Sequence, residues 1–219
     1  MRIRFKAWAR PELEASEFYI DNPQDYKEKW KTLYKNRVPF HIELGCGKGS
    51  FISQLAVKNK NINYLAIDLV DAMLGLAKRN IEKAYNENNV LIDNIYITRH
   101  DIERIFLILG KKDKVERIYI NFCNPWPRGK HHKKRLTHTR QLEKYKEILI
   151  KNGEIYFKTD DDGLFNDSLI YFKDAGFEIE KSTFDLENEE NFWNNIETEH
   201  EKMFKEQGIK IKALIAKRK

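Results

Sequence analysis

The strongest constraint on this chain is an alternation of short β-prone runs with helical patterns, sustained from Val38 to Phe177. Val38 to Leu44 reads as a strand, a glycine loop follows, and Ser50 to Lys58 has a helical pattern. Asn63 to Ile67 is a second strand. Asp71 is placed to cap a long helix running to about Asn86, with Met73, Leu74, Ala77, Ile81 and Ala84 at helical spacing. Ile95 to Arg99 is a third strand, and Asp101 precedes a short helix carrying Ile105, Phe106 and Leu109. Arg117 to Phe122 is the fourth, and a helix from Thr139 to Lys151 closes at Asn152-Gly153, a natural C-cap. Glu154 to Lys158 is the fifth strand, a helix spans Gly163 to Ala175, and Phe177 opens the sixth. Glu199 to Glu206 lies in a last helix, before a closing strand from Ile209 to Ala216. Strands joined by helices are parallel neighbours, and such sheets gather ligands at the carboxyl ends of their strands. The expected fold is therefore α/β: a Rossmann-like, doubly wound, mainly parallel sheet with an antiparallel C-terminal strand.

Residues 1–37 lack this alternation and mix charge with aromatics. Asp25 could open a helix through about Lys35, with Tyr26, Trp30, Leu33 and Tyr34 on one face. The first ten residues, with Arg2, Arg4, Lys6 and Arg10, are expected to form a mobile basic arm. The expected organisation is an arm and helix over 1–37 and one α/β domain over 38–219.

The net charge of +6 suits a polyanionic partner, and its distribution matters more than its size. Cations crowd the N-terminus, residues 128–135 and the C-terminal tail, whereas Asp185 to Glu201 is strongly acidic. The two cysteines, Cys46 and Cys123, have no zinc-site spacing and suit a reduced, cytoplasmic protein. No apolar run approaches membrane-spanning length, so no membrane partner is expected.

Glu43-Leu44-Gly45-Cys46-Gly47-Lys48-Gly49 ends the first of the alternating strands. Its glycines let the backbone approach a ligand that a Cβ would keep away, and the next helix offers free amides. Asp68 closes the second strand, where a carboxylate can accept both hydroxyls of a ribose or simply shape the turn. Asp101, after the third, could accept from an adenine amino group or cap a helix. G-x-G-x-G is not the dinucleotide spacing, and Lys48-Gly49 is not a P-loop ending, so a nucleoside without pyrophosphate fits better than a nicotinamide cofactor.

After the fourth strand, Asn124-Pro125-Trp126-Pro127 stops the sheet, because two prolines remove backbone donors and fix φ. Arg128, Lys130, Lys133, Lys134 and Arg135 follow, with His131 and His132 among them and no acid to offset them. An amide and an indole beside such a run suit a flat base attached to phosphates, and Lys130, Lys133, Lys134 and Arg135 are the expected phosphate contacts. Two roles fit Trp126: packing beneath the loop, or stacking on the base.

The glycine loop, the two strand-end acids and N-P-W-P together resemble the class I S-adenosylmethionine-dependent methyltransferases. With the basic loop they resemble, more specifically, the bacterial tRNA (guanine-N7)-methyltransferase family. That likeness runs through RIRFKAWA, IELGCGKGSF, NFCNPWPRGKHHKKRL, YFKTDDDGLF and TEHE, nearly the whole chain. It implies S-adenosyl-L-methionine as methyl donor, no metal, and tRNA as partner, with a guanine N7 in the variable loop as acceptor. By motif it implies donor binding by Glu43, Gly45, Gly47, Asp68, Asp101 and Asn124, a catalytic role for Asn124, and substrate binding by Arg128, Asp160, Thr198 and Glu201. Whether such a protein is a monomer or a homodimer stays open.

The sequence departs from the family pattern at four of these positions. Asp68 stands for the usual glutamate, Arg128 for lysine, His200 for tyrosine and Asn124 for aspartate. Guanine N7 carries an unshared in-plane pair and no proton, so attack needs no general base; alignment and exclusion of water matter most. Activity with asparagine at 124 is therefore expected to survive at a reduced rate, because a neutral amide forms weaker hydrogen bonds than a carboxylate. Two other readings fit the same residues: an RNA-binding protein that kept the fold and lost catalysis with Asn124, or a methyltransferase acting on another base atom.

Overall fold

Strands covered on both faces by crossover helices are mainly apolar, and the central runs of this sequence are, with His41 and Glu43 as the polar exceptions within Phe40–Leu44. The computed structural model describes residues 4–36, 38–189, 192 and 196–219. The chain divides into two compact units, Met1–Asp113 and Lys114–Lys219. Among the described residues no helix is long and apolar enough to cross a membrane.

In the first unit, β1 (Tyr19–Ile20), β2 (Phe40–Leu44), β3 (Asn63–Asp68) and β4 (Ile95–Arg99) run parallel in the order β1-β4-β3-β2. Every residue of β2 is buried. The helices are α1 (Ala9–Glu14), α2 (Ser50–Lys58) and α3 (Asp71–Glu87). α3 buries Leu74, Ala77 and Ile81 as the spacing predicts, but the face is rotated: Ala72 and Tyr85 are buried with them, and Met73 and Ala84 are only half-buried. Asp71 does not cap it. The residue before the helix is Val70, and Asp71 sits in the first turn, where it meets Arg99 at 3.4 Å and Arg10 at 3.9 Å and favours the positive helix end.

Two expectations for the N-terminus are corrected. Arg2 lies outside the described residues, but Ala9 is fully buried and α1 packs on α3, so the segment from Trp8 is a docked helix. Gly75 makes this possible, since a Cβ there would fall 2.8 Å from the Trp8 ring. The Arg79 guanidinium lies 3.7 Å from the same ring and pairs with Glu12. Nor is there a helix from Asp25 to Lys35; short 3-10 turns cover Pro23–Tyr26 and Trp30–Thr32. The Asp113 carboxylate takes the N–H groups of Glu28 and Trp30 at 3.0 and 3.3 Å, and Glu28 adopts φ +61, which no helix allows.

Gly49, immediately before α2, has φ +70, and a Cβ on it would fall 2.7 Å from the Ala77 Cβ of α3. Gly49→Ala therefore adds backbone strain to overpacking, and is expected to lower stability by about 2–4 kcal/mol. Denaturant unfolding measures this; a loss under about 0.5 kcal/mol would show that α2 and α3 separate at little cost.

In the second unit, β5 (Val115–Asn121), α4 (Thr139–Ile148), β6 (Leu149–Thr159), α5 (Asp162–Asp174), β7 (Phe177–Thr183), α6 (Glu199–Glu206) and β8 (Lys212–Arg218) follow in sequence. The strand order is β5-β6-β8-β7, with β6 parallel to β5 and β8 antiparallel to both its neighbours. α4 ends at Ile148, earlier than the Asn152-Gly153 cap predicts. Asn152 does take the left-handed conformation, φ +63, but inside β6. There it serves a bulge: Val115 pairs with Leu149 and Arg117 with Glu154, so β6 spends more residues than β5 over the same step. With these strands the chain has the α/β, Rossmann-like, mainly parallel fold with an antiparallel C-terminal strand that the alternation predicts.

Candidate functional site

In the first unit the candidate residues converge where β2 and β3 end. The chain turns through Gly45, Gly47 and Gly49 at φ +79, +53 and +70, values that glycine alone adopts freely. The N–H groups of Gly45 and Cys46 both reach the Ile67 carbonyl, at 2.8 and 3.1 Å. Asp68 holds the turn from the other side. Its Oδ2 accepts from the Gly47 N–H at 2.9 Å and its Oδ1 from the Val70 N–H at 3.0 Å. Burial pushes the Asp68 carboxyl up, and these backbone donors oppose the shift. The Leu69 N–H is a third backbone donor to this carboxylate, and three donors leave one of its roughly four lone-pair sites, so Asp68 can shape the loop and still accept from a hydroxyl. A Cβ on Gly47 would meet nothing within 4 Å, so the loop opens onto free space beside that carboxylate.

Glu43 is buried on β2. The His100 N–H donates to the Asp68 carbonyl at 2.9 Å, which brings the adjacent Asp101 to the same end of the sheet. Asp101 caps the 3-10 turn Ile102–Leu107, accepting from the Glu103 N–H at 3.0 Å. Burial pushes the Cys46 thiol well above its ordinary value, with Asp68 and Glu43 adding to the effect. The donor chemistry here is carboxylate oxygens and a glycine cradle, which fits the hydroxyls and amines of an adenosyl group.

In the second unit β5 ends in a strained turn. Phe122 and Trp126, both bulky, have φ +51 and +42, a conformation that costs about 1–2 kcal/mol per residue. Four contacts hold them. The Phe122 N–H donates to the Lys158 carbonyl at 2.9 Å, the Asn124 Oδ1 accepts from the Trp126 N–H at 3.0 Å, and the Trp126 ring carries Lys134 Nζ 5.0 Å from its centroid and His131 at 5.8 Å. Trp126 thus packs against its own loop. Asn124 is exposed, with its oxygen turned back to make an Asx turn.

The basic residues divide into two kinds. Arg128, Lys130, Lys133 and Lys134 are exposed on and before the 3-10 turn Gly129–Lys134. Arg135 is only 3% exposed and is bonded to Pro125, Asp167 and His132, so the expectation that it meets phosphate is corrected: its donors point inward. Burial pushes the Cys123 thiol up to about 12.

Asp160 follows β6 and is half-buried; its carbonyl accepts from Lys212 Nζ at 2.9 Å. Thr198 and Glu201 form a capping box at the start of α6 and are both buried. Glu201 Oε2 also receives Lys158 Nζ at 2.5 Å, and the same ammonium donates to the Ile196 carbonyl at 3.2 Å. His200, on α6, stacks on Phe122 at 5.6 Å. The residues between Glu189 and Ile196 other than Phe192 lie outside those described, and with them part of the acidic stretch from Asp185 to Glu201. Two lysines that motif reading passed over, Lys158 and Lys212, therefore hold the segment around Asp160. The available signal was a lysine at the end of the apolar run Ile155-Tyr156-Phe157, where a charge must have a partner.

The fold is that of the methyltransferases. A solved structure titled "Crystal Structure of 16S rRNA Methyltranferase KamB" matches 87% of the chain and 92% of its own length at TM-score 0.62 and 12% identity. One titled "Structure of an Antibiotic Related Methyltransferase" matches 89% and 92% at 0.60 and 18%. Residues 37–214 match the model of a family described as "Putative methyltransferase". A Clostridium beijerinckii protein named tRNA (guanine-N(7)-)-methyltransferase is 59% identical over 99% of this chain and 98% of its own. A Clostridium perfringens protein of the same name is 56% identical over the full length of both. The chain belongs to the tRNA (guanine-N(7)-)-methyltransferase family.

Proposed function

We propose that this protein is a cytoplasmic enzyme that transfers a methyl group from S-adenosyl-L-methionine to N7 of a guanine in the variable loop of tRNA. The observation that carries the reading is the strained Asn124–Trp126 turn running directly into exposed Lys130, Lys133 and Lys134. The names of its full-length relatives support the choice of base and atom.

When bound, S-adenosyl-L-methionine supplies a methyl group made electrophilic by its sulfonium. Asp68 and Asp101 accept from its hydroxyls and amine, Glu43 adds an acid on β2, and Gly45 and Gly47 keep the loop free of side chains. The protein needs no base, since N7 has no proton to lose. The remaining work is orientation. Asn124 fixes the turn and offers its amide to the base edge; Arg128, Asp160, Thr198 and Glu201 bind substrate, and the exposed lysines bind phosphates.

The test is to incubate the full chain with unmodified tRNA and S-adenosyl-L-methionine, digest the product and measure 7-methylguanosine by mass spectrometry. One modified guanine per tRNA is the expected result. Tight tRNA binding with no methylated base would leave an RNA-binding protein, and methyl on another atom would leave a different base methyltransferase.

A further inference from the structure

We propose that Arg135, held by Asp167 and His132, is a positioning residue that fastens the Asn124–Trp126 turn to the basic segment, and is not one of the cations that bind phosphate. The inference rests on the function proposed above and assigns a device within that site. Its basis is the division of one unbroken cationic run. Four of its members are exposed, while Arg135 is 3% exposed.

All three guanidinium nitrogens are engaged. Nε donates to the Pro125 carbonyl at 2.7 Å, Nη1 to Asp167 Oδ2 at 2.5 Å and Nη2 to His132 Nε2 at 3.1 Å. A guanidinium can only donate, so His132 accepts at Nε2 and carries its proton on Nδ1, which lies 3.8 Å from Asp167 Oδ2. One planar group therefore touches three segments at once: the proline inside the turn, the middle of the basic 3-10 turn, and α5. A buried arginine is tolerated only when paired in this way, and a lysine cannot reproduce a three-way planar fork. Pro125 lies between Asn124 and Trp126, so the fork grips the turn at its centre, and its loss would let the turn and the phosphate-binding lysines shift independently.

The two roles predict different behaviour in two measurements on the full chain with unmodified tRNA: the slope of log affinity against log salt, and kcat at saturating tRNA. A phosphate contact contributes roughly 0.7–0.9 to that slope, and Lys133→Gln is expected to lower it by about that much. Arg135→Gln is expected to leave the slope within about 0.2 of wild type and to lower kcat by roughly 10- to 100-fold, the scale of an ångström-sized misplacement. Arg135→Lys keeps the charge and guards against a folding defect, which thermal melts also monitor; its slope stays unchanged while kcat falls at least about fivefold. Asp167→Asn is expected to lower kcat in the same direction. Overturning results would be a slope reduced by Arg135→Gln as much as by Lys133→Gln, full kcat in Arg135→Lys, or tighter tRNA binding with undiminished kcat in Asp167→Asn, as expected when an acid is removed from beside an RNA contact. If wild type forms no 7-methylguanosine the proposed function fails, but the salt slopes, which need only binding, still distinguish a positioning arginine from a phosphate contact.

Discussion

Replacing Asn124 by alanine is expected to lower kcat for tRNA methylation by roughly 100-fold, because a misplacement near 1 Å at a reacting centre costs about that much. Alanine removes the oxygen that accepts the Trp126 N–H, and Trp126 then has less reason to hold φ +42. The turn relaxes and carries Pro125 with it. Asn124→Asp makes the opposite change. A carboxylate accepts the same N–H, so the turn survives, and its charge strengthens hydrogen bonds to the base and stabilises the cationic methylated product. Charge-assisted bonds are about twice as strong as neutral ones, so kcat should rise by roughly 5- to 10-fold. Single-turnover kinetics with saturating tRNA measures both variants. A loss under threefold for alanine would detach the turn from catalysis; an aspartate variant within about threefold of wild type would show that charge at this position does not limit the rate.

Lys158→Met is expected to lower stability by about 3–5 kcal/mol, the usual result of stripping one partner from a buried ion pair. Lys158 and Glu201 are 1% and 5% exposed, and no solvent can replace the ammonium once it is gone. The effect reaches the turn as well, since the Lys158 carbonyl receives the Phe122 N–H. Combining Lys158→Met with Glu201→Gln removes both charges and keeps an amide that can still complete the capping box, so the double variant should recover at least half of the loss. Urea unfolding decides. A single-variant loss below about 1 kcal/mol, or a double variant no better than the single, would show that the pair does not anchor α6.

Periodicity made the architecture legible. α2 begins and ends where the pattern places it, α6 covers the residues expected in the last helix, and β2 to β5, β7 and β8 lie close to their predicted positions, whereas β6 starts at Leu149 instead of Glu154 and the short β1 (Tyr19–Ile20) lies in a segment read as arm and helix. Local pattern failed where a distant group took over the backbone. Tyr26, Trp30, Leu33 and Tyr34 have helical spacing, but the Asp113 carboxylate, far away in sequence, captures the N–H groups that a helix would use. The glycine loop and strand-end acids were visible because their chemistry is carried by residue type at an element's end. Composition could not separate Arg135 from its neighbours, since a run of like charges says nothing about which side chain turns inward. Thr198 and Glu201 were marked by motif, but Glu201's buried partner Lys158 is reached only through the tertiary fold.

The bulge in β6 has a mechanical consequence. The basic segment leads into α4, and α4 passes directly into β6, so force exerted on those lysines by a bulky ligand would travel along the chain towards Asp160. Between Leu149 and Glu154 the strand folds back on itself, tightly enough that a Cβ on Gly153 would lie 2.9 Å from the Ile150 carbonyl. Register is re-established just beyond it, where Arg117 grips Glu154 with two N–H groups at 2.6 and 2.9 Å and covers Tyr156 at 4.2 Å. The fold-back and its clamp act as a strain relief, like the knot in a cable behind its plug. On the function proposed above, the exposed lysines would be free to shift with their ligand while Lys158 and Asp160 stay in place.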